Sequence, residues 1–161
     1  MRVQRLLGIA IIIAAGAGGW WAGSATTTPL VARIVLSTTT VKAGNVISGS
    51  VIVDNDTGHS IHFTTCGGPF AVALENDEIK PEVTWAMCLQ HGTLPQGRSV
   101  WPVRVWTRYS GCTNGPSTTT TTPRCTEGGP PLLPPGDYDA ALFQQSHVVP
   151  TPPPVAVHVT A

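Results

Sequence analysis

Four cysteines are the residues of this chain whose type and spacing most directly suggest chemistry: Cys66, Cys88, Cys112 and Cys125. An even number of cysteines in an oxidising compartment predicts two disulfides, and three pairings are open. We favour Cys66–Cys88 and Cys112–Cys125 because each pair then brackets one contiguous segment. A zinc site is not expected, since the chain has no Cys-x-x-Cys or paired Cys/His spacing.

A free cysteine would instead be a potential nucleophile, and Cys112 is the candidate. The segments His91-Gly92-Thr93 and Ser110-Gly111-Cys112 together resemble the active site of L,D-transpeptidases, exported enzymes that cross-link cell walls. Those enzymes need a histidine directly before the Gly-Cys pair and an arginine after it, where this chain has serine and asparagine. Without an adjacent base the thiol stays mostly protonated. We therefore expect no enzymatic activity and an exposed loop position for His91; a cell-wall enzyme using Cys112 and His91 is the alternative.

Histidine, cysteine and methionine side chains are ligands for copper, and their positions raise a further alternative, an exported copper-binding protein. His59 and His62 lie near Cys66, and a methionine, a cysteine and His91 are close together in sequence. The two histidines are three residues apart on a predicted strand, so they should point to opposite faces. The chain also lacks the Cys, His and Met spacing of cupredoxins near its C-terminus. The prediction is no metal site and no cofactor.

The first twenty-five residues predict where the protein works. Arg2 and Arg5 precede an uncharged stretch over residues 6–23, and Ala22-Gly23-Ser24-Ala25 has the small side chains that a signal peptidase accepts. The stretch is longer than the roughly 7–15 apolar residues of a signal peptide and just short of the roughly 20 that span a bilayer. Residues 1–25 are predicted to form an apolar helix, either a signal peptide or a transmembrane anchor. The domain is then secreted or held at the extracellular face of the plasma membrane.

Composition predicts one small exported domain after this segment. Residues 26–30 read as a Thr/Pro spacer, and residues 31–161 are near the usual size of a single domain. Only 11% of the chain is charged, whereas Gly, Pro and Thr are abundant. Without Arg2 and Arg5, seven basic residues face nine acidic ones, a net charge of about −2. Nucleic acid is therefore excluded as a partner, because binding phosphates needs a basic patch.

Alternating apolar residues and turn signals predict about seven strands. They cover residues 31–36, 46–54, 59–64, 70–74, 99–107, 138–144 and 155–160. Pro102 inside the fifth of these indicates an edge strand or a bulge. This spacing is typical of a two-sheet immunoglobulin-like β-sandwich, so the fold class predicted for the exported part is all-β.

The segment Leu133-Pro134-Pro135-Gly136-Asp137-Tyr138 resembles the tyrosine corner of immunoglobulin-like domains, in which the tyrosine hydroxyl bonds back to upstream backbone. Pro135, Gly136 and Tyr138 carry that resemblance. With the turn-and-strand pattern of residues 43–49 and 53–58, the chain is similar to uncharacterised exported actinobacterial Ig-like proteins and, more weakly, to BsuPI-type proteinase-inhibitor domains. The resemblance implies an Ig-like fold and transfers no catalytic or binding residue.

Aromatic and basic residues after position 100 predict a contact surface for a protein or glycan of the cell envelope. Its candidate members are Trp101, Arg104, Trp106, Arg108 and Tyr109. Trp101 and Trp106 are five residues apart, so they should face opposite sides of their strand and leave one exposed. The partner itself is unknown, and the function class predicted is a non-enzymatic binding or structural domain of the envelope.

Two features leave their interpretation open. A Thr-rich loop over residues 110–130, bracketed by Cys112 and Cys125, is either O-glycosylated, a contact for a partner or an inert insertion. Asn55-Asp56-Thr57 matches a glycosylation sequon, but it also matches the start of a turn.

Overall fold

A computed structural model describes residues 29–66, 68–81, 83, 90–115 and 122–161 of the chain. These residues form nine strands: β1 (Leu30–Leu36), β2 (Thr40–Lys42), β3 (Val46–Asn55), β4 (Ile61–Thr65), β5 (Phe70–Glu75), β6 (Gln90–Leu94), β7 (Gly97–Trp106), β8 (Gly136–Gln144) and β9 (Val155–Thr160). No helix occurs among them, and hence none that would reach across a bilayer. The predicted all-β fold is confirmed, whereas the predicted N-terminal helix and residues 26–28 of the spacer lie outside the described residues.

The strands form three sheets. The first has the order β1-β3-β7, with antiparallel pairing throughout. The second has the order β2-β9-β8-β5, in which β2 pairs parallel to β9 and the other pairs are antiparallel. Strands β4 and β6 make a separate antiparallel ribbon. Strands β5 and β7 are each the last strand of a sheet, a position that becomes important for the candidate site.

One hydrophobic cluster contains the inward side chains of both larger sheets. The first sheet contributes Val51 and Val105, and the second contributes Ala140 and Val159, all without solvent exposure. Burying a valine side chain fully stabilises the fold by roughly 1.5–3 kcal/mol. The alternation in residues 46–54, 99–107 and 155–160 is explained by this core, which takes up one face of each strand.

Two strands escaped prediction because their sequences carry little alternation. In β2, Val41 is the one buried residue, between exposed Thr40 and Lys42. In β6, Gly92 lies opposite Phe63 of β4, and the Phe63 ring occupies the space that a side chain at position 92 would need. The glycine thus accommodates an aromatic ring from the neighbouring strand. The placement of His91 in a loop was wrong, since this exposed residue lies within β6.

The structure decides between the two interpretations of Pro102. The register between β3 and β7 runs without interruption from Val46–Trp106 to Asn55–Gly97, so β7 contains no bulge there. Strand β7 is at the edge of its sheet. Proline cannot donate to a ladder, so it is tolerated where its nitrogen faces away from the neighbouring strand.

The turn that precedes β8 is held by Tyr138. Its hydroxyl donates a hydrogen bond to the Pro134 carbonyl at 2.8 Å, which is the backward bond to upstream backbone that defines a tyrosine corner. The side chain is buried, and burial raises the pKa of Tyr138. The hydroxyl therefore stays protonated and remains a donor in neutral solution.

Asn55 closes the turn that follows β3 and is completely buried. Its amide nitrogen donates to the carbonyls of His59 and Pro95, both at 3.0 Å. Its amide oxygen accepts bonds from the backbone nitrogen of Thr57 (3.2 Å) and from the Thr57 hydroxyl (2.7 Å). Because both donor hydrogens of the amide are used and the residue is enclosed, Asn55 is a turn starter and is inaccessible to glycosylation in the folded domain.

Candidate binding surface

The outer side of the β1-β3-β7 sheet is unusually apolar for a surface open to solvent. Among the described residues, six large hydrophobic side chains are exposed, and five of them lie on this side of the sheet. We call these five the exposed sheet face: Val31, Val35, Val46, Val100 and Trp106. The largest exposed fractions are 58% at Val100 and 53% at Trp106.

The strand register shows that these side chains share one face. Val46 lies opposite Trp106, and Val100 lies opposite Ile52, whose side chain is half-buried between its neighbours. On β1, Val31 and Val35 alternate with buried Ala32 and Ile34. Alternation thus places the apolar set outward on all three strands, with Arg33, Ser48 and Arg104 interspersed among them. Exposed apolar side chains gathered on one face of a sheet are typical of an interaction site.

The charged residues of this face are three arginines and one aspartate. Asp54 accepts hydrogen bonds from Arg33 Nη1 and Arg98 Nε, each at 2.7 Å. Arg104 is exposed on the same side and has no hydrogen-bond or ion-pair partner among the described residues. The face therefore carries a net charge of +2, although the exported part as a whole is slightly acidic.

The stability of the domain depends on pH through the ionisation of Asp54. Hydrogen bonds from Arg98 first, and then from Arg33, lower the pKa of Asp54 to about 2, from an ordinary value of about 4. A carboxyl group with a lowered pKa in the folded state stabilises the fold above its unfolded pKa and loses that contribution as it is protonated. The contribution of Asp54 is thus complete above about pH 4 and is lost as the pH falls towards 2.

We expect Asp54→Asn to flatten the dependence of Tm on pH between about pH 4 and pH 2, because the titrating group is removed. Thermal unfolding followed by circular dichroism from pH 6 to pH 2 measures this. Asp139→Asn is the matched control, since Asp139 is exposed on β8 and has no ion-pair partner among the described residues. Equal slopes for the two variants would contradict the role given to Asp54.

A pocket opens where the two edge strands β5 and β7 approach each other. Its volume is about 370 Å³, within the range of roughly 300–1,000 Å³ that is usual for small-molecule sites. We call it the edge pocket. It is lined by Val72, Ala73, Leu74, Ile79, Lys80, Pro81, Trp106, Arg108, Tyr109, Ser110, Pro130 and Leu133. Trp106 belongs to both this pocket and the exposed sheet face.

Buried Thr107 fixes the end of β7 where the two surfaces meet. Its hydroxyl accepts a hydrogen bond from the Gly44 nitrogen (2.8 Å) and donates one to the Asn45 carbonyl (2.7 Å). The Leu133 nitrogen donates to the Thr107 carbonyl at 3.1 Å, and the Tyr109 nitrogen donates to the Pro131 carbonyl at the same distance. These bonds hold the pocket wall over residues 106–110 against residues 130–133.

The other side of the pocket depends on a turn after β5. The side-chain oxygen of Asn76 accepts hydrogen bonds from the backbone nitrogens of Glu78 (3.0 Å) and Ile79 (2.8 Å). This turn directs the Ile79 side chain into the core, where it is 6% exposed, and leaves Lys80 exposed at the pocket. Sequence reasoning overlooked these lining residues; the Asn-Asp turn signal at positions 76 and 77 was their one indication.

The structure separates the five residues predicted to form a contact surface. Arg104 and Trp106 lie on the outer side of the first sheet, while Trp106, Arg108 and Tyr109 line the edge pocket. Trp101 lies on the inner face of β7 and so outside both of these surfaces. It is half-buried against the core, with its ring 5.8 Å from that of Phe70 in an edge-to-face arrangement, because it lies an odd number of residues from Trp106.

The Cys112–Cys125 disulfide that the sequence predicted is present. Cys66 is also disulfide-bonded, and Cys88, its expected partner, lies outside the described residues. The sulfur of Cys112 is thereby engaged, so the nucleophile that the transpeptidase-like alternative needs is not free. Residues 116–121, within the predicted Thr-rich loop, also lie outside the described residues.

The histidines do not assemble into a metal site in the part of the chain that the structure describes, where no cluster of three or more potential His, Cys, Asp or Glu ligands occurs. His59 lies in a turn rather than on the predicted strand, with Nδ1 3.1 Å from the Thr57 carbonyl. His62 Nδ1 lies 3.1 Å from the Thr93 hydroxyl. Met87 and Cys88 are outside the described residues.

Comparison with protein-family models finds no matching family, and comparison with curated proteins finds no similar sequence.

Proposed function

We propose that this protein is a non-enzymatic component of the cell envelope, exported and either secreted or anchored through residues 6–23, whose immunoglobulin-like domain binds another envelope protein. The observation that carries the proposal is the exposed sheet face. Five exposed apolar side chains on one side of one sheet are costly to keep in water. A partner that covers this face would remove these side chains from water, which a purely structural role would not do.

The immunoglobulin-like assignment rests on strand order and on the tyrosine corner. The orders β1-β3-β7 and β2-β9-β8-β5 fit two sheets whose inner faces share a core, and short β2 runs parallel to the last strand. The hydrogen bond from the Tyr138 hydroxyl to Pro134 lies at the start of the penultimate strand, as it does in that class of sandwich.

Export is supported by chemistry as well as by the apolar N-terminal stretch. Disulfides persist in oxidising compartments and are rare in a reducing cytosol. The Cys112–Cys125 bond therefore fits a domain delivered beyond the cytoplasmic membrane. The neighbouring Arg2 and Arg5 would stay on the inner side.

Charge and area indicate what kind of protein would bind. A second copy would oppose two faces of net charge +2, so self-association is disfavoured, whereas carboxylates around an apolar patch would complement Arg104 and Arg98. Three strands of seven, ten and ten residues cover on the order of 400 Å² in projection. That is below the roughly 800 Å² per partner of a standard interface, so we propose a reversible complex with an acidic protein surface.

Photo-crosslinking in the native envelope tests this proposal. With p-benzoylphenylalanine in place of Val100, ultraviolet light is expected to give one discrete, protease-sensitive adduct, because Val100 is the most exposed apolar side chain of this face. The same probe in place of Ala156, which is exposed on β9 of the other sheet, should give none.

A second substitution shows whether the apolar face itself is responsible. Val31→Glu, combined with the probe at position 100, is expected to reduce the adduct at least fivefold, because a carboxylate is placed within the apolar contact. An equal yield from positions 100 and 156, or a protease-resistant adduct with glycan, would contradict a protein partner at this face.

A further inference from the structure

The edge pocket has the composition of a ligand site independent of the exposed sheet face. Its floor consists of aliphatic side chains that are almost fully buried, among them Val72, Leu74 and Leu133. Trp106 and Tyr109 line it as well. Aliphatic floor and aromatic walls together favour an apolar ligand group that the two rings can stack against.

The charges at the pocket have one sign. Among the residues that the structure describes, Lys80 and Arg108 are the charged ones that line it. The nearest contact of Lys80 with a carboxylate is 3.8 Å from Glu75, with its side chain 58% exposed, and such an exposed pair contributes little. Arg108 Nη1 donates to the Pro130 carbonyl at 3.3 Å, which leaves its other guanidinium hydrogens for a ligand.

The backbone offers further polar contacts. The pocket is lined by three consecutive residues of β5 but by none of β8, so it lies along the edge of β5 that has no strand partner among the described residues. The outermost strand of a sheet has one row of nitrogen and carbonyl groups without a strand partner. An extended ligand in the pocket would therefore find hydrogen-bonding groups beside the apolar floor.

From these three features we infer that the edge pocket binds an apolar, preferably aromatic, group that carries a carboxylate. The ring occupies the cavity between Trp106 and Tyr109, and the carboxylate lies at Arg108 and Lys80. Two sources supply this chemistry: a free aryl or alkyl acid, and the C-terminal residue of an extended peptide. The inference deepens the proposed binding function and rests on it only in taking the domain to be a binding module.

Paired probes of opposite charge test the inference on the full-length protein. We expect 3-phenylpropionate to shift the amide resonances of Ala73, Lys80 and Tyr109 in two-dimensional NMR, and 3-phenylpropylammonium to bind at least tenfold more weakly. Acetyl-Ala-Phe with a free carboxylate, compared with its amide, tests the peptide source. Tighter binding of 3-phenylpropionate would identify a free acid as the ligand, and tighter binding of the peptide acid would identify a peptide C-terminus. Either result supports the inference.

Substitutions test whether the affinity for 3-phenylpropionate arises at the edge pocket. Arg108→Gln is expected to weaken 3-phenylpropionate about tenfold, because a charge-assisted hydrogen bond is lost. Lys42→Gln, at an exposed basic residue of β2 that belongs to neither surface, should leave it unchanged. Equal binding of acid and ammonium, absence of binding by either, or an Arg108→Gln variant with unchanged affinity would overturn the inference. Crosslinking at position 100 reports on the other surface, so failure of the pocket and failure of the proposed function are distinguishable.

Discussion

Asn55→Ala is expected to lower the free energy of unfolding by about 3 kcal/mol, a loss of the size caused by breaking a buried polar network. The substitution removes an amide that makes four hydrogen bonds in a site without solvent exposure. It leaves the Pro95 carbonyl and the Thr57 nitrogen without their Asn55 partner, while the His59 carbonyl keeps the Thr57 hydroxyl at 3.1 Å. Each orphaned buried group costs roughly 1–3 kcal/mol.

Urea denaturation followed by tryptophan fluorescence measures this loss. Asn45→Ala is the matched control, because Asn45 is exposed and its side chain makes no hydrogen bond among the described residues; its effect should stay within about 0.5 kcal/mol. Similar midpoints for the two variants would show that the Asn55 amide is not needed to hold the two turns together.

Asn55 also illustrates what local sequence can and cannot predict. Asn55-Asp56-Thr57-Gly58 indicated a turn, and a turn is present, with Gly58 in the left-handed region at a φ of 85°. The pattern also matched a sequon, and residue type alone could not separate the two. The decision came from Pro95, forty residues away, whose carbonyl accepts a bond from the same amide.

The limited reach of local sequence also explains why some strands were predicted and others were not. Long strands with one face in the core, such as β3 and β9, reveal themselves through alternation, because every second side chain must be apolar. Strand β2 has room for a single buried side chain, Val41, and β6 buries only Leu94 fully. Both exist because of partners distant in the chain, β9 and β4 respectively, so no local period could predict them.

The candidate surfaces show a similar division. Alternation around Trp106 predicted that one tryptophan of β7 would be exposed, and it is. The edge pocket, by contrast, is assembled from residues 72–81, 106–110 and 130–133, and no spacing in the sequence brings those segments together. The packing of Trp101 against Phe70 is also beyond the reach of local spacing, because it depends on how two sheets face each other.

Removing the Cys112–Cys125 disulfide should be the second large effect, and it separates the stability of the domain from binding at the edge pocket. The bond closes a loop with a sequence separation of 13 residues, for which the chain-entropy model gives a stabilisation of about 3 kcal/mol. Within that loop, Thr113 and Cys125 are also joined through a hydrogen bond between the Cys125 nitrogen and the Thr113 carbonyl at 2.9 Å. We expect Cys112→Ser combined with Cys125→Ser to lower the urea midpoint accordingly.

The double variant separates a structural cysteine from a catalytic one. If the bond only restricts the unfolded chain, the variant loses stability while 3-phenylpropionate still binds at the edge pocket, since neither cysteine lines it. Thiol labelling of native wild-type protein should find Cys112 unreactive. The Ser110→Ala variant, which retains both cysteines, should give the same labelling result. A reactive Cys112 in the exported protein, or an unchanged urea midpoint for the double variant, would contradict the structural role and restore the cell-wall enzyme as the leading alternative. If the domain needs this bond to stay folded, it must fold where thiols are oxidised. The urea midpoint of the double variant therefore also bears on the compartment in which the binding function is proposed to operate.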